Sequence, residues 1–289
     1  MHYDGILYRP PSESQSLLIQ MTVGCSYNRC SFCAMYDESE FHLKPIESVL
    51  EDIEEGISYR FRRVFLCDGD ALIAPMPYLE KVMSAIKESM PTVERIGIYG
   101  DPRSILKKSV EELRRLKELG LGIIYHGIES GDEATLKAIN KGVTVEETVA
   151  AGLRVKEAGI QYSAIVLLGI AGRTRSLEHA RATAAVLNRI QPDFVGVLTT
   201  MVIEDTPLYE LAEQEKFYMP SRFGLVEELK TMIENLDLKK GLLTSKHASN
   251  YLTVRVVFPY EKHQIIKLLT EVLESRDEEL LKSETERGL

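Results

Sequence analysis

Gly24-Cys25-Ser26-Tyr27-Asn28-Arg29-Cys30-Ser31-Phe32-Cys33 gathers three of the chain's four cysteines into one short stretch, directly after an apolar run. Thiolates at C-x4-C-x2-C spacing can wrap one face of an iron–sulfur cluster, because short connections let the chain curl around the inorganic core. Three close ligands and no certain fourth leave one iron open. The same spacing followed by a distant cysteine is also that of plant-type ferredoxins, with Cys67 as fourth ligand of a two-iron electron carrier. A zinc held by three Cys and one His is less natural, since the long gap has no paired ligand near it. Three ordinary buried cysteines explain the clustering poorly, because thiols in a reducing compartment rarely gather this way.

The rest of the composition sets bounds. With 289 residues, 44% of them hydrophobic, the chain can bury a sizeable core. Lys and Arg number 35 against 44 Asp and Glu, a formal charge of -9, so no general affinity for nucleic acid is expected. No apolar run reaches membrane-spanning length, and Met1 to Pro11 has no signal-peptide core. The expectation is a cytoplasmic protein without a membrane partner.

Along the chain, short apolar runs alternate with amphipathic segments. Leu17-Leu18-Ile19 leads into the cysteine loop, and Pro45 opens a helix with Ile46, Val49, Leu50, Ile53 and Ile57 on one face. Val64-Phe65-Leu66 is the next strand, followed by Asp68-Gly69-Asp70 and a helix carrying Leu79, Val82, Met83 and Ile86. Arg95 to Tyr99 is a third strand, and Ser109 with Glu112 forms a capping box for a helix that Gly120 ends. Leu121 to Tyr125 is a fourth strand running into His126-Gly127-Ile128-Glu129-Ser130-Gly131, and Thr144 with Glu147 caps the following helix to Gly159. Tyr162 to Leu168, a helix over Ser176 to Ile190, and Phe194 to Leu198 complete about six βα units, which argue for a parallel sheet. Beyond Pro207 come a helix through Val226, Leu229, Ile233 and Leu236, an alternating run at Leu252, Val254, Val256 and Phe258, and a last helix. Residues 211–289 read as an appendage to a core of residues 1–210, and Ser275 to Leu289 as a solvated helix end or frayed tail.

In parallel α/β folds, ligands bind at the carboxyl ends of the strands, because those loops share one face. That rule selects the cysteine loop, Asp68-Gly69-Asp70, Tyr99-Gly100-Asp101, Glu129-Ser130-Gly131, Gly169-Ile170-Ala171-Gly172 and Thr199-Thr200. An electron carrier has no use for so many polar loops around its cluster.

Gly-Cys-Ser-Tyr-Asn-Arg-Cys-Ser-Phe-Cys-Ala-Met-Tyr, with an aromatic before the last cysteine, resembles the cluster loop of the radical S-adenosylmethionine (radical SAM) superfamily. The four residues between Cys25 and Cys30 exceed the commonest family gap by one and resemble a subset with the longer loop. The resemblance covers roughly the first 210 residues, and the whole chain, with Ser245 to Leu252, is similar to a subgroup related to elongator and methylthiotransferase-type cores. It implies a partial (βα)6 TIM-like barrel with a small α+β appendage, a [4Fe-4S] cluster on Cys25, Cys30 and Cys33, and SAM as partner on the fourth iron. It further implies one-electron cleavage of SAM to a 5'-deoxyadenosyl radical that takes hydrogen from an unknown substrate, with a flavodoxin or ferredoxin as reductant.

Residue by residue, Asp68, Gly69 and Asp70 resemble the family's Gly-Gly-Glu stretch that receives the methionine ammonium, with Asp68 in place of the first glycine and Asp70 in place of the glutamate. Glu129 and Ser130 resemble the residues that meet the ribose and methionine parts of SAM. Leu168 and Gly169 resemble the segment lying against adenine, with Phe32 near it. Tyr99, His126, Arg173, Arg175, His179, His247 and Asn250 are further polar candidates without an assigned role.

Overall fold

The computed structural model describes residues 1–288. The chain runs through β1 (Leu17–Gln20), β2 (Thr22–Val23), β3 (His42–Leu43), α1 (Ile46–Gly56), β4 (Arg63–Cys67), α2 (Met76–Ser89), β5 (Arg95–Tyr99), α3 (Pro102–Leu106) and α4 (Val110–Glu118). It continues with β6 (Leu121–Glu129), α5 (Glu133–Ala138), α6 (Val145–Glu157), β7 (Gln161–Leu168), α7 (Gly172–Ile190) and β8 (Phe194–Thr199). The last third holds α8 (Pro207–Glu213), α9 (Arg222–Asn235), β9 (Gly241–Thr244), β10 (Arg255–Phe258) and α10 (Lys262–Ser275). Eight strands form one sheet in the order β1-β4-β5-β6-β7-β8-β9-β10. The pairings β1/β4, β4/β5, β5/β6, β7/β8 and β8/β9 are parallel, β9/β10 is antiparallel, and β2 and β3 form a separate antiparallel pair. The βα alternation thus gives the parallel sheet expected of it.

The chain packs as two compact units, described separately. One takes Met1–Asn28, Met35–His126 and Ala150–Tyr162; the other takes Arg29–Ala34, Gly127–Val149 and the chain from Ser163 on. In the first, Leu17 pairs with Val64 and Val64 with Ile96. Val64, Phe65, Leu66 and Cys67 are fully buried, as a parallel strand covered on both faces requires. Leu79, Val82, Met83 and Ile86 of α2 are fully buried too, so the predicted apolar stripe is the packed one. Ser109 and Glu112 form the predicted capping box of α4.

In the second unit, β8 pairs with both β7 and β9, with Ser163 opposite Phe194 and Phe194 opposite Leu242. Nothing local marks β9, whose four residues carry no alternation to read. The alternating run yields only β10, with Leu252 and Val254 lying before it, and β10 pairs with β9, with Val256 opposite Leu243. Two strands of the appendage therefore extend the main sheet. Helices α7 and α10 both pack on α9. Helix α7 begins at Gly172, four residues before its predicted start.

Asn250 is a structural staple in this unit: its side chain accepts from Thr199 Oγ1 at 2.8 Å and donates to the Val197 and Ser245 carbonyls at 2.7 and 2.9 Å. His247 is hydrogen-bonded to Ser249 two residues on. The segment after α10 corrects the expectation of a frayed tail. Arg287 has only 4% of its side chain exposed, lies over the Tyr251 ring, and donates to the carbonyls of Ser249 and Thr200. A guanidinium with five donors in a fixed fork can close such a contact where a lysine could not. Arg287→Ala is expected to lower unfolding stability by about 1.5–3 kcal/mol, the range for hydrogen bonds to a charged group. Denaturant unfolding measures it, and an unchanged midpoint would return the segment to the solvated tail.

Candidate functional site

In the first unit, β4 delivers Cys67 and then Asp68-Gly69-Asp70. Thr22 Oγ1 donates to the Cys67 carbonyl at 3.2 Å and accepts from the Asp68 amide at 3.0 Å, which fixes the turn. Gln20 donates to Asp68 Oδ2 at 2.9 Å, while Asp68 Oδ1 is buried with no partner. Asp70 faces inward: Oδ2 accepts from Ser26 Oγ at 2.6 Å and Oδ1 from the Asp101 amide at 3.1 Å. The residue after Cys25 is thereby tied to the ends of β4 and β5. Arg103 lies 3.8 Å over the Tyr27 ring, a cation–π contact that fixes the next residue of the loop.

Gly69 forms the floor of this cradle. A Cβ there would stand 2.7 Å from Tyr36 Cε2 and 3.1 Å from Cys25 Cβ, so only glycine lets the turn approach the first cysteine. Tyr36 OH is a second buried polar atom without a partner. Tyr36 and Ser26 carried no mark in the sequence beyond lying in or just after the cysteine loop.

Cys67 is fully buried, its Sγ 3.7 Å from the Phe65 carbonyl, and burial raises its thiol well above the usual range. A thiol that resists ionisation is a poor metal ligand. Cys67 is a core residue, and the ferredoxin reading loses its fourth ligand. Tyr99 is half-buried, packed edge-on against Phe65 and Tyr125, and His126 is buried against the Tyr162 hydroxyl.

In the second unit, the cysteine loop is held by its backbone: the Ser31 amide donates to the Ile139 carbonyl at 2.9 Å, and the Ser31 carbonyl accepts from the Leu208 amide at 2.8 Å. Phe32 packs against Ile139, Leu167, Ile170 and Leu208, which brings it to the end of β7. Leu168 points elsewhere, lining a small cavity with Thr199, Leu225 and Leu229. Strand β6 runs four residues further than predicted and ends on Glu129 itself, whose φ of +61° is left-handed. Such a backbone is costly without glycine, and the Lys141 ammonium, 3.0 Å from Glu129 Oε1, secures it. Ser130 turns inward, its Oγ 2.7 Å from His179 Nδ1. At Gly131 a Cβ would meet the Ala182 carbonyl oxygen at 2.5 Å, so this glycine serves close packing on α7. Arg175 pairs with Asp132, and Arg173 stacks on Tyr218.

The three loop cysteines are half-buried and in no disulfide. Among the described residues, no three His, Cys, Asp or Glu side chains already stand as a metal-binding group. Ligand thiolates converge on irons rather than on each other, because ordering of a site is coupled to metal binding. Three thiols, a cradle with no room for a side chain, and an unpartnered carboxylate oxygen beside it fit a cluster and a cationic amine. Among the described residues, no helix is long and apolar enough to cross a membrane.

Burial lifts Asp68 to about 6, and burial together with the Asp101 charge lifts Asp70 to about 7. The folded chain holds a proton on Asp70 that the unfolded chain has released. Stability therefore falls as pH climbs from the ordinary value of 3.8 to about 7. This group contributes at most about 1.4 kcal/mol per pH unit. Asp70→Asn, which can still accept from the Asp101 amide and donate to Ser26, is expected to flatten that slope. Unfolding measured from pH 4 to 8 checks it, and an unchanged slope would mean that Asp70 is ionised inside the fold.

The sequence profile of the radical SAM superfamily matches residues 19–184. The chain is 25% identical over 234 residues to the anaerobic magnesium-protoporphyrin IX monomethyl ester cyclase of Cereibacter sphaeroides, covering 80% of this chain and 37% of that protein. It thus spans little more than a third of that relative. Its fold is similar to that of the radical SAM enzyme coproporphyrinogen III oxidase from Escherichia coli, with a TM-score of 0.57 at 16% identity over 76% of this chain and 51% of that one. It is similar also to that of the archaeal Elp3 from Methanocaldococcus infernus, with a TM-score of 0.54 at 15% identity over 91% and 63%. The chain belongs to the radical SAM superfamily, enzymes built on a partial TIM-type barrel that work with a [4Fe-4S] cluster and S-adenosylmethionine.

Proposed function

We propose that Cys25, Cys30 and Cys33 hold three irons of the cluster and that the strand-end segments around them hold SAM on the fourth. With SAM bound, the cluster supplies one-electron cleavage of the sulfonium to methionine and a 5'-deoxyadenosyl radical that takes hydrogen from a substrate still to be identified. The observation that carries this reading is the cradle beside Cys25: Gly69 lets the turn close up against Cys25 and Tyr36, and Asp68 Oδ1 and Tyr36 OH are buried with no protein partner. A buried carboxylate oxygen without a donor is costly, and an ammonium supplies the missing charge-assisted bond.

The remaining candidates have supporting parts. Asp70 positions the cysteine loop through Ser26. Glu129 and Ser130 set the backbone at the end of β6, and Gly169 with Phe32 forms the flank offered to adenine, while Leu168 is turned toward Leu225 and Leu229 instead. Residues 1–210 carry this chemistry and 211–289 cover the core. The setting is a reducing cytoplasm, with a small one-electron donor such as a flavodoxin or ferredoxin as partner and no role for nucleic acid as a general ligand.

Anaerobically reconstituted protein is expected to hold about four irons. Cys25→Ala, Cys30→Ala and Cys33→Ala should each lose the cluster, whereas Cys67→Ala should keep it. Two irons in the parent, lost with Cys67, would restore the ferredoxin reading. Dithionite-reduced protein given SAM should form 5'-deoxyadenosine slowly without substrate. Asp68→Asn and Glu129→Ala should weaken SAM binding at unchanged iron content, Asp68→Asn by about 1.5–3 kcal/mol, the worth of one charge-assisted hydrogen bond. Four-iron protein that neither binds nor cleaves SAM would defeat the proposal.

A further inference from the structure

Glu228 lies on α9, far along the chain from every motif that marks the cofactor site, and is fully buried. Its Oε1 accepts the Gly169 amide at 2.8 Å and stands 3.4 Å from His179 Nε2, while Oε2 accepts from Ser176 Oγ. His179, with 1% exposure, has its other ring nitrogen on Ser130 Oγ, and Ser130 Oγ also accepts the Asp132 amide at 3.0 Å. Glu228 thus bonds the segment after β7 through Gly169 and packs its carboxylate 3.4 Å from the imidazole that bonds the segment after β6 through Ser130.

We propose that Glu228 and His179 are positioning residues for the cofactor, a buried polar tie that holds the ends of β6 and β7 in the arrangement that receives SAM. The proposal rests on the reading that these two segments line SAM. The case against a purely stabilising role is energetic. A dehydrated carboxylate is costly, and replacing buried ionic groups with well-packed apolar ones is often neutral or stabilising. Glu228 has the apolar neighbours for such a replacement, since Leu225, Leu229 and Met232 on the same helix are buried with it. The tie does what packing cannot: it gives the Gly169 amide and the Ser130 hydroxyl one direction each. Hydrogen bonds are directional, whereas apolar contacts are not.

The test uses the full chain with its cluster oxidised, so that SAM binds without being cleaved. Glu228→Gln keeps the volume and one acceptor for the Gly169 amide, Glu228→Leu removes both acceptors, and His179→Phe cuts the link to Ser130. Equilibrium dialysis with SAM should give about a tenfold weaker Kd for Glu228→Leu and His179→Phe, the worth of one hydrogen bond of about 1.4 kcal/mol, with Glu228→Gln close to the parent. Iron content and thermal midpoint are read alongside. In the chain without SAM, amide exchange at Gly169 should accelerate in Glu228→Leu and not in Glu228→Gln. Variants that lower the midpoint yet bind SAM like the parent would overturn the proposal and leave a structural tie only. So would unchanged exchange at Gly169. Glu129→Ala separates the two levels: if it weakens SAM binding and Glu228→Leu does not, this inference alone fails; if neither matters, the SAM-lining reading fails and takes this inference with it. Should Glu228→Leu not fold, His179→Phe and Glu228→Gln decide by the same Kd comparison.

Discussion

Among the buried carboxylates of this fold, Asp68, Asp70 and Glu228 stand at or against the ends of the strands that carry the candidate site, and each has to find its donors in protein. Asp68 takes one from Gln20, Asp70 takes two from Ser26 and the Asp101 amide, and Glu228 takes two from Gly169 and Ser176. Burial is the first cause lifting all three above the ordinary carboxylate range. A carboxyl group in that condition is an organiser, because any loop that supplies a donor is held where the carboxylate requires it. The donors come from the ends of neighbouring strands and from the cysteine loop, so the cost of dehydration is spent on fixing the loops that a cofactor must find in place.

The parallel sheet explains why those carboxylates are where they are. Its central strands read as unbroken apolar runs, such as Val64-Phe65-Leu66-Cys67, and their burial on both faces leaves no exit for a polar group until the strand ends. Periodicity alone therefore made the strands and the long helices legible. The capping box at Ser109 and the stripe on α2 appear where the pattern put them. What stayed hidden was short or distant. Helices α3 and α5 are five and six residues long, too brief for a stripe. Strand β9 gains its pairing from β8 and β10, and nothing local announces it. Arg287 looks like part of a solvated tail from sequence because its partners, Thr200, Ser249 and Tyr251, lie dozens of residues away.

The candidate site divides along the same line. The three cysteines, the turn after β4 and the polar end of β6 were visible because each is a local motif at a strand end. Ser26, Tyr36, His179 in its relation to Ser130, and Glu228 form the support behind those motifs, and their partners are set by topology. Glu228 is 59 residues from Gly169, and a glutamate inside an amphipathic helix reads as surface until the helix that covers it is known. Local pattern finds the groups that face a ligand more readily than the groups that hold them.

The departures from the commoner family residues have a geometric reason of the same kind. Asp70 stands where a glutamate was the expected counterpart, and its carboxylate already lies 2.6 Å from Ser26 Oγ and 3.1 Å from the Asp101 amide. One more methylene would carry the group about 1.5 Å further along the side chain, a full carbon–carbon bond, into donors that are at contact distance now. The shorter acid fits because in this chain it is turned inward to grip the cysteine loop. In the proposed site, a positive charge is then left to Asp68, whose second oxygen is the one without a donor. The two acids that flank Gly69 thus differ in what they hold: Asp70 has both oxygens on protein donors, and Asp68 has one oxygen free of them.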